Sequence, residues 1–185
     1  MELIKDKILY LRLKNKDKEA FIEAYDLYLN DIYRFVYFKV GDKEEAEDLT
    51  SCVFLKSWDH IQNNSITDYN TLKALFYKVA RNLIIDHYRK KSRQNEVSYS
   101  DEQNAIDIAD ENQDIIKEVE LANDIKNVET KIFELKDEYR EVLILRYINE
   151  MSVNEIANIL GKNKGNIRVL IFRALKALRE VIEQK

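Results

Sequence analysis

The sequence predicts an all-α fold: an N-terminal helical bundle and a C-terminal helix-turn-helix unit joined by a flexible acidic linker. Three observations carry this expectation. The 185 residues include no Pro and only 3 Gly, and sheet-rich folds with many tight turns lean on those residues. Apolar residues recur at helical spacing over several long stretches. Between them lies one segment, 95–114, crowded with Asp, Glu, Asn and Gln, which cannot bury enough apolar surface to fold alone. The length allows one large domain or two small ones. A composition of 45% apolar and 35% charged residues fits a folded chain with heavily charged surfaces.

Taken in order, a short helix is expected at Glu2 to Lys14. The stretch Glu19 to Lys39 places Phe21, Tyr25, Tyr28, Leu29, Ile32, Phe35 and Val36 at helical spacing. Gly41 ends it, and Asp42 with Glu45 three residues on reads as an N-cap and its reciprocal partner. The next helix, about Lys43 to Asp59, is expected to bury Ala46, Leu49, Val53 and Trp58. The polar loop Gln62-Asn63-Asn64-Ser65 follows. Then Leu72, Leu75, Phe76, Val79, Ala80, Leu83 and Ile84 mark a third strong helix running into a block of bases. These helices make the first domain, 1–94. Helical signal resumes near Ile115, and 115–185 reads as the second domain. It contains a helix from Asp137 to Ile148, a short helix from Val153 to Leu160, and a long one from about Lys164 to Ile182.

The net charge of -4 hides a strong asymmetry. From Thr71 to Asn95 seven bases stand against Asp86 alone. From Ser98 to Glu120 eight acids stand against Lys117. From Gly161 to Arg179 there are six bases and no acid. Two basic blocks separated by an acidic stretch fit two surfaces facing nucleic acid and a linker, and fit equally a pair of solvated helix faces.

The C-terminal pattern is more specific. Ser152-Val153-Asn154-Glu155 is a capping box, Ile156, Ala157, Ile159 and Leu160 supply a packing face, and Gly161 sits at the turn. In the helix that follows, at about 100° per residue, Ile167, Leu170, Ile171, Ala174, Leu178 and Val181 share one stripe. Arg168, Val169, Phe172, Arg173, Lys176 and Arg179 fall on the other side. A short capped helix, a turn with Gly and a second helix with one-sided bases is the helix-turn-helix pattern, whose second helix enters the major groove. Gly165 in its first turn lets the backbone approach a phosphate. An αα-hairpin with a solvated basic face is the plainer reading of the same residues.

Longer stretches carry a resemblance. Phe21-Ile22-Glu23-Ala24-Tyr25, Gly41 to Thr50, Val53 to Trp58 and Leu75 to Lys91 resemble region two of small bacterial sigma factors. Tyr139 to Tyr147 with the helix-turn-helix resembles region four. The size is similar to that of the extracytoplasmic-function group. The resemblance implies a protein that binds core RNA polymerase and directs initiation at promoters. In it, Ala46, Glu47, Asp48, Leu49, Thr50 and Phe54 would contact the clamp helices of the largest polymerase subunit. Tyr69, Tyr77, Arg81, Asn82, Asp86, His87, Arg89 and Lys90 would bind the minus-ten element, where unstacked bases need aromatic or apolar pockets and cations. Phe76, on the apolar stripe, is expected in the core. Lys164, Asn166, Arg168, Val169, Arg173 and Lys176 would read the minus-thirty-five element as duplex. An anti-sigma factor is a further candidate partner, bound on these same faces. The chain departs from the family where Ser51-Cys52 replaces the usual Gln-Glu, where Lys136 replaces Pro, and where Leu170 and Leu175 stand at positions that are often Arg.

Nothing in the sequence points to catalysis. There are two His residues, one Cys, no Gly-rich phosphate loop and no metal-ligand spacing, so no catalytic residue, metal or cofactor is expected. His60 reads as a solvated capping residue. Cys52 reads as a small core or interface residue without an activating base. A lone Cys, no apolar run of membrane-spanning length and no secretory N-terminal pattern lead to the expectation of a cytoplasmic protein without membrane insertion. A stand-alone helix-turn-helix regulator is the alternative function, distinguished by tight duplex binding without polymerase.

Overall fold

The chain is described from a computed structural model over residues 2–63, 70–96 and 130–183. The expected linker beyond Glu96, the resumption of helix near Ile115 and the candidate Tyr69 lie outside the described residues. All regular structure among the described residues is helical.

The first unit holds α1 (Glu2–Lys14), α2 (Lys18–Val40), α3 (Lys43–Asn63) and α4 (Asn70–Glu96). Helix α2 starts at an N-cap that the sequence pattern had not marked: Asp17 Oδ1 accepts from the amides of Glu19 (2.9 Å) and Ala20 (3.2 Å). A hydrogen bond from Arg12 (2.7 Å) and the amide of Ala20 hold the Asp17 carboxyl below the ordinary range. At the other end Gly41 is left-handed, φ 78°, and donates its N–H to Tyr37 O (2.8 Å). Asp42 does cap α3, accepting from the Glu45 amide at 2.8 Å. The expected reciprocal half does not form, because the Glu45 carboxylate turns to His87 and Lys91 on α4.

Helices α2, α3 and α4 close around an aromatic cluster. Phe76 of α4 packs on Phe54 (centroids 5.0 Å), Tyr28 (5.4 Å) and Phe21 (6.4 Å), and Phe21 packs on Trp58 (4.7 Å). Leu49 and Trp58, expected inside, are only partly buried. Thr50, Phe54, Ser57 and Ile61 complete the inner face of α3.

The second unit begins with a turn of helix at 130–133, then α5 (Asp137–Leu143), α6 (Val153–Leu160) and α7 (Lys164–Glu183). Lys136, at the N-cap of α5, makes no side-chain cap bond. The helix expected to run from Asp137 to Ile148 is not uniform, since Ile144–Ile148 widens into a π-helical turn. The Asn149 amide reaches Ile144 O at 2.9 Å, five residues back. Val142, Leu143, Ile144 and Leu145 are all inside, a run that a regular α-helix would spread over too broad an arc.

Ser152 and Glu155 form the full capping box, and Gly161 takes the left-handed conformation between α6 and α7 (φ 64°). The apolar stripe of α7 packs inward, with Ile167, Leu170 and Ala174 buried. The two units share one continuous core. The π-helical turn and α5 rest on α2, and α6 rests on α4.

Two outcomes follow from the capping box. Ser152→Ala should destabilise the second unit by about 1 kcal/mol while Ser152→Thr keeps most of it, read as shifts in urea midpoint. Burial pushes the Glu155 carboxyl up, yet bonds from Ser152 and Lys73 outweigh it and hold the carboxyl below the ordinary 4.5. A lowered carboxyl stabilises fully above its unfolded value and loses that contribution as pH falls through the folded one. Acidification below about pH 4.5 should therefore destabilise the native chain more than Glu155→Gln.

Candidate nucleic-acid interface

The rotation of α4 decides which of its residues can meet a ligand. With Phe76 and Ala80 inward, Lys78, Asn82, Asp86, Arg89 and Arg93 fall within about 80° of arc on the far side at ~100° per residue, and all five are exposed. Lys90 is exposed beside them. Asn82, Asp86, Arg89 and Lys90 of the expected minus-ten set are thus displayed together, with Arg89 near Asp86 (3.6 Å).

The other members stand elsewhere. Tyr77 is fully buried against Phe35 (5.1 Å), so it belongs to the core and is not a base platform in this arrangement. Its hydroxyl has no hydrogen-bond partner among the described residues, and burial pushes its ionisation far upward. The polar tip of a tyrosine lets it face either side at the edge of an apolar stripe. His87 is half-buried with Nε2 3.0 Å from Glu45. Lys91 donates to the same carboxylate at 3.0 Å, and that bond raises its ionisation. Arg81 is engaged by Glu141 of α5, Nε to Oε1 at 2.7 Å and Nη2 to Oε2 at 3.3 Å. Tyr88, not in the set, donates its hydroxyl to Lys39 O (2.7 Å).

Beside the exposed stripe lies a groove of about 450 Å³ between α3 and α4. Asn82 and Asp86 line it together with Lys56, Asp59 and His60 of α3, which sequence reasoning had not brought to this site. Their i, i+3, i+4 spacing on α3 was the available signal. The groove mixes one cation, an imidazole, an amide, two acids and the apolar Val79 and Leu83, a lining suited to the polar edge and flat face of a base.

Helix α7 presents the second face. Asn163 Oδ1 accepts from the Asn166 amide at 2.8 Å, which caps the helix and places Lys164 and Asn166 in its first turn. Lys164, Asn166, Arg168, Val169, Arg173 and Lys176 are all exposed. Leu170, on the expected packing stripe, is buried; Arg there would break the core, so the departure from the family at this position is dictated by packing. Leu175 is exposed, as is Phe172 at 70%.

On α3 the expected docking residues divide by face. Glu47 and Asp48 are exposed and Leu49 is half-buried. Ala46, Thr50 and Phe54 are buried, which corrects their reading as contact residues: they hold the helix from inside. The outer surface is completed by Ser51, Cys52 and Leu55, so of the two readings of Cys52 the core one falls away.

Both units have counterparts among known proteins. The family model Sigma-70 region 2 matches residues 24–94 and the model Sigma-70, region 4 matches residues 125–178. The ECF RNA polymerase sigma factor SigM of Bacillus subtilis is 35% identical over 164 residues, covering 85% of this chain and 91% of SigM. SigW of the same organism is 32% identical over 177 residues, covering 91% and 92%. In fold, the chain is similar to the sigma factor RpoE of Bartonella quintana, solved in complex with the anti-sigma factor NepR (TM-score 0.70, 22% identity, 89% and 98% covered). It is similar also to CnrH, solved with the cytosolic domain of CnrY (TM-score 0.70, 17% identity, 96% and 97% covered). No helix among the described residues is long and apolar enough to cross a membrane.

The burial of Tyr77 gives a test that separates packing from contact. Tyr77→Phe should leave stability unchanged or raise it by up to about 1 kcal/mol, since an unpaired buried hydroxyl is removed. Tyr77→Ala should cost roughly 3 to 5 kcal/mol. Denaturant unfolding of both variants reads the difference.

Proposed function

The chain belongs to the extracytoplasmic-function group of RNA polymerase sigma factors, which direct promoter-specific transcription, and from that membership we propose how its own residues divide the work. Residues 1–94 act as region two, 95–114 as the linker and 115–185 as region four. The observation that carries the reading is the pair of outward cationic helix faces in one chain. Each lies opposite a buried stripe: Asn82, Asp86, Arg89 and Lys90 on α4, and Lys164 to Lys176 on α7. A stand-alone regulator has no need of the first face.

Glu47 and Asp48 form an acidic patch complementary to a basic coiled coil, here the clamp helices of the largest polymerase subunit. Leu49 and Leu55 add apolar area at its edge. The exposed face of α4 and the groove beside it hold the opened minus-ten strand: Arg89 and Lys90 neutralise phosphates, while Asn82 and Asp86 meet a base edge. Helix α7 enters the major groove at the minus-thirty-five element. Arg168 is the candidate for bidentate base contact, and Lys164, Arg173 and Lys176 attend the backbone. With both regions tethered to one polymerase, modest affinity of either face suffices. The likeness in fold to a sigma factor held by NepR supports an anti-sigma factor as a further partner. The work of this protein is to bind and direct a catalyst, with no catalytic residue of its own assigned.

Purified chain added to core polymerase should give promoter-dependent initiation; complex formation without initiation on any genomic fragment would overturn the reading. Arg168→Ala should cost about 1 to 3 kcal/mol at a subset of promoters, measured as template-competition ratios. A uniform loss over all upstream sequences would instead make Arg168 a phosphate contact.

A further inference from the structure

The face that α7 turns to solvent is not uniformly basic. At ~100° per residue, Gly165, Val169, Phe172 and Lys176 fall within about 60° of arc, on the side away from the buried Ile167, Leu170 and Ala174. These four residues form the crest of the helix. Arg168 and Arg173 lie about 70° to either side of it. Both arginines are exposed and make no hydrogen bond or ion pair among the described residues.

Up to Lys176 the crest is apolar. Val169 is 49% exposed and Phe172 is 70% exposed, the most exposed aromatic ring among the described residues. Gly165 adds no side chain to the first turn, and a Cβ there would meet the Asn163 Oδ1 that caps the helix at 3.3 Å. A single exposed ring calls for no explanation. Two apolar neighbours one turn apart, on the crest of a helix and between two free cations, do call for one.

A helix in the major groove points its crest at the base edges and its flanks at the groove walls, where the phosphates stand. The floor of that groove offers hydrogen-bond donors and acceptors, and one methyl group, at C5 of thymine. An apolar side chain over guanine O6 or cytosine N4 strips water from a polar group without replacing the hydrogen bond. Over thymine it buries a methyl instead.

We propose that Val169 and Phe172 read thymine methyl groups on the groove floor, so that this chain selects A·T pairs within its upstream element by apolar contact. The inference rests on α7 being the minus-thirty-five reader and names the base that its crest takes. Duplex DNA supplies an apolar floor between two anionic walls about 12 Å apart, which matches an apolar crest between Arg168 and Arg173. A protein partner that used only the apolar crest would leave both arginines without a role.

The test uses the full chain assembled with core polymerase, on a genomic fragment from which it initiates. Each thymine of the upstream duplex is replaced in turn by uracil, which removes the methyl and keeps the pairing. Uracil at one or two neighbouring positions should weaken occupancy about fourfold each, the worth of one buried methyl group. Phe172→Ala combined with Val169→Ala should lower occupancy on the thymine template and abolish the difference between thymine and uracil. Phe172→Leu, still apolar, should keep that difference, and Arg168→Ala should weaken both templates alike. Uracil without effect at every position overturns the proposal. A uracil penalty that survives the double alanine variant also overturns it, and assigns the penalty to the shape of the duplex. Loss of core polymerase by Phe172→Ala, with its uracil penalty intact, overturns it in favour of a protein partner on the crest. Absence of initiation on every genomic fragment overturns the promoter-directing reading and this proposal with it, an outcome distinct from initiation that ignores uracil.

Discussion

The burial of Phe76 among Phe21, Tyr28 and Phe54 is the constraint from which the rest follows. Three helices contribute rings to one cluster, and each ring fixes the rotation of its helix. An aromatic side chain buries more area than any aliphatic one and tolerates few orientations, so α4 cannot turn to present a different face. Once Phe76 points inward, helical geometry sends Asn82, Asp86 and Arg89 outward and sets Arg81 and Tyr88 toward the second unit. Phe54, locked in the same cluster, likewise turns Glu47 and Asp48 to solvent. Both outward faces of the first unit are consequences of one core.

The second unit obeys a parallel rule with different chemistry. Its α6 is short, and intrinsic propensity alone would leave eight residues of helix marginal. The capping box satisfies amides at one end and left-handed Gly161 closes the other, so the boundaries of α6 are set by hydrogen bonding. That in turn fixes where α7 begins, and its stripe of Ile167, Leu170 and Ala174 fixes which side of it faces out. Leu170 shows the value of this ordering. Judged by family habit it was a cation lost from a DNA face; judged by packing it was never on that face.

Charge links the two units and explains why the totals mislead. Acids of the second unit are matched to cations of the first: Asp137 to Lys39, Glu141 to Arg81 and Glu155 to Lys73. None of these partners is near in sequence, so each looked like an independent surface charge. Glu155 serves twice, completing the capping box and meeting Lys73, and Glu45 abandons its own cap for His87 and Lys91. A side chain with two available partners takes the geometry that the tertiary packing brings nearer.

Periodicity, with the scarcity of Pro and Gly and a few capping residues, determined the all-α class, the succession of helices, the ends at Gly41 and Gly161, the cap at Ser152 and the inner stripe of α7. These depend on residues within one or two turns of each other, where local geometry is nearly invariant. Tertiary structure decided the rest. It put Tyr77, Thr50 and Phe54 inside, since an amphipathic residue at the edge of a stripe goes where neighbouring helices leave room. It widened the turn at Ile144–Ile148, where the run of four successive buried apolar side chains from Val142 to Leu145 ends. It gathered Lys56, His60, Asn82 and Asp86 around one groove and brought Arg81 to Glu141. Contacts between residues sixty apart depend on how whole helices pack, and no local pattern in the sequence encodes them.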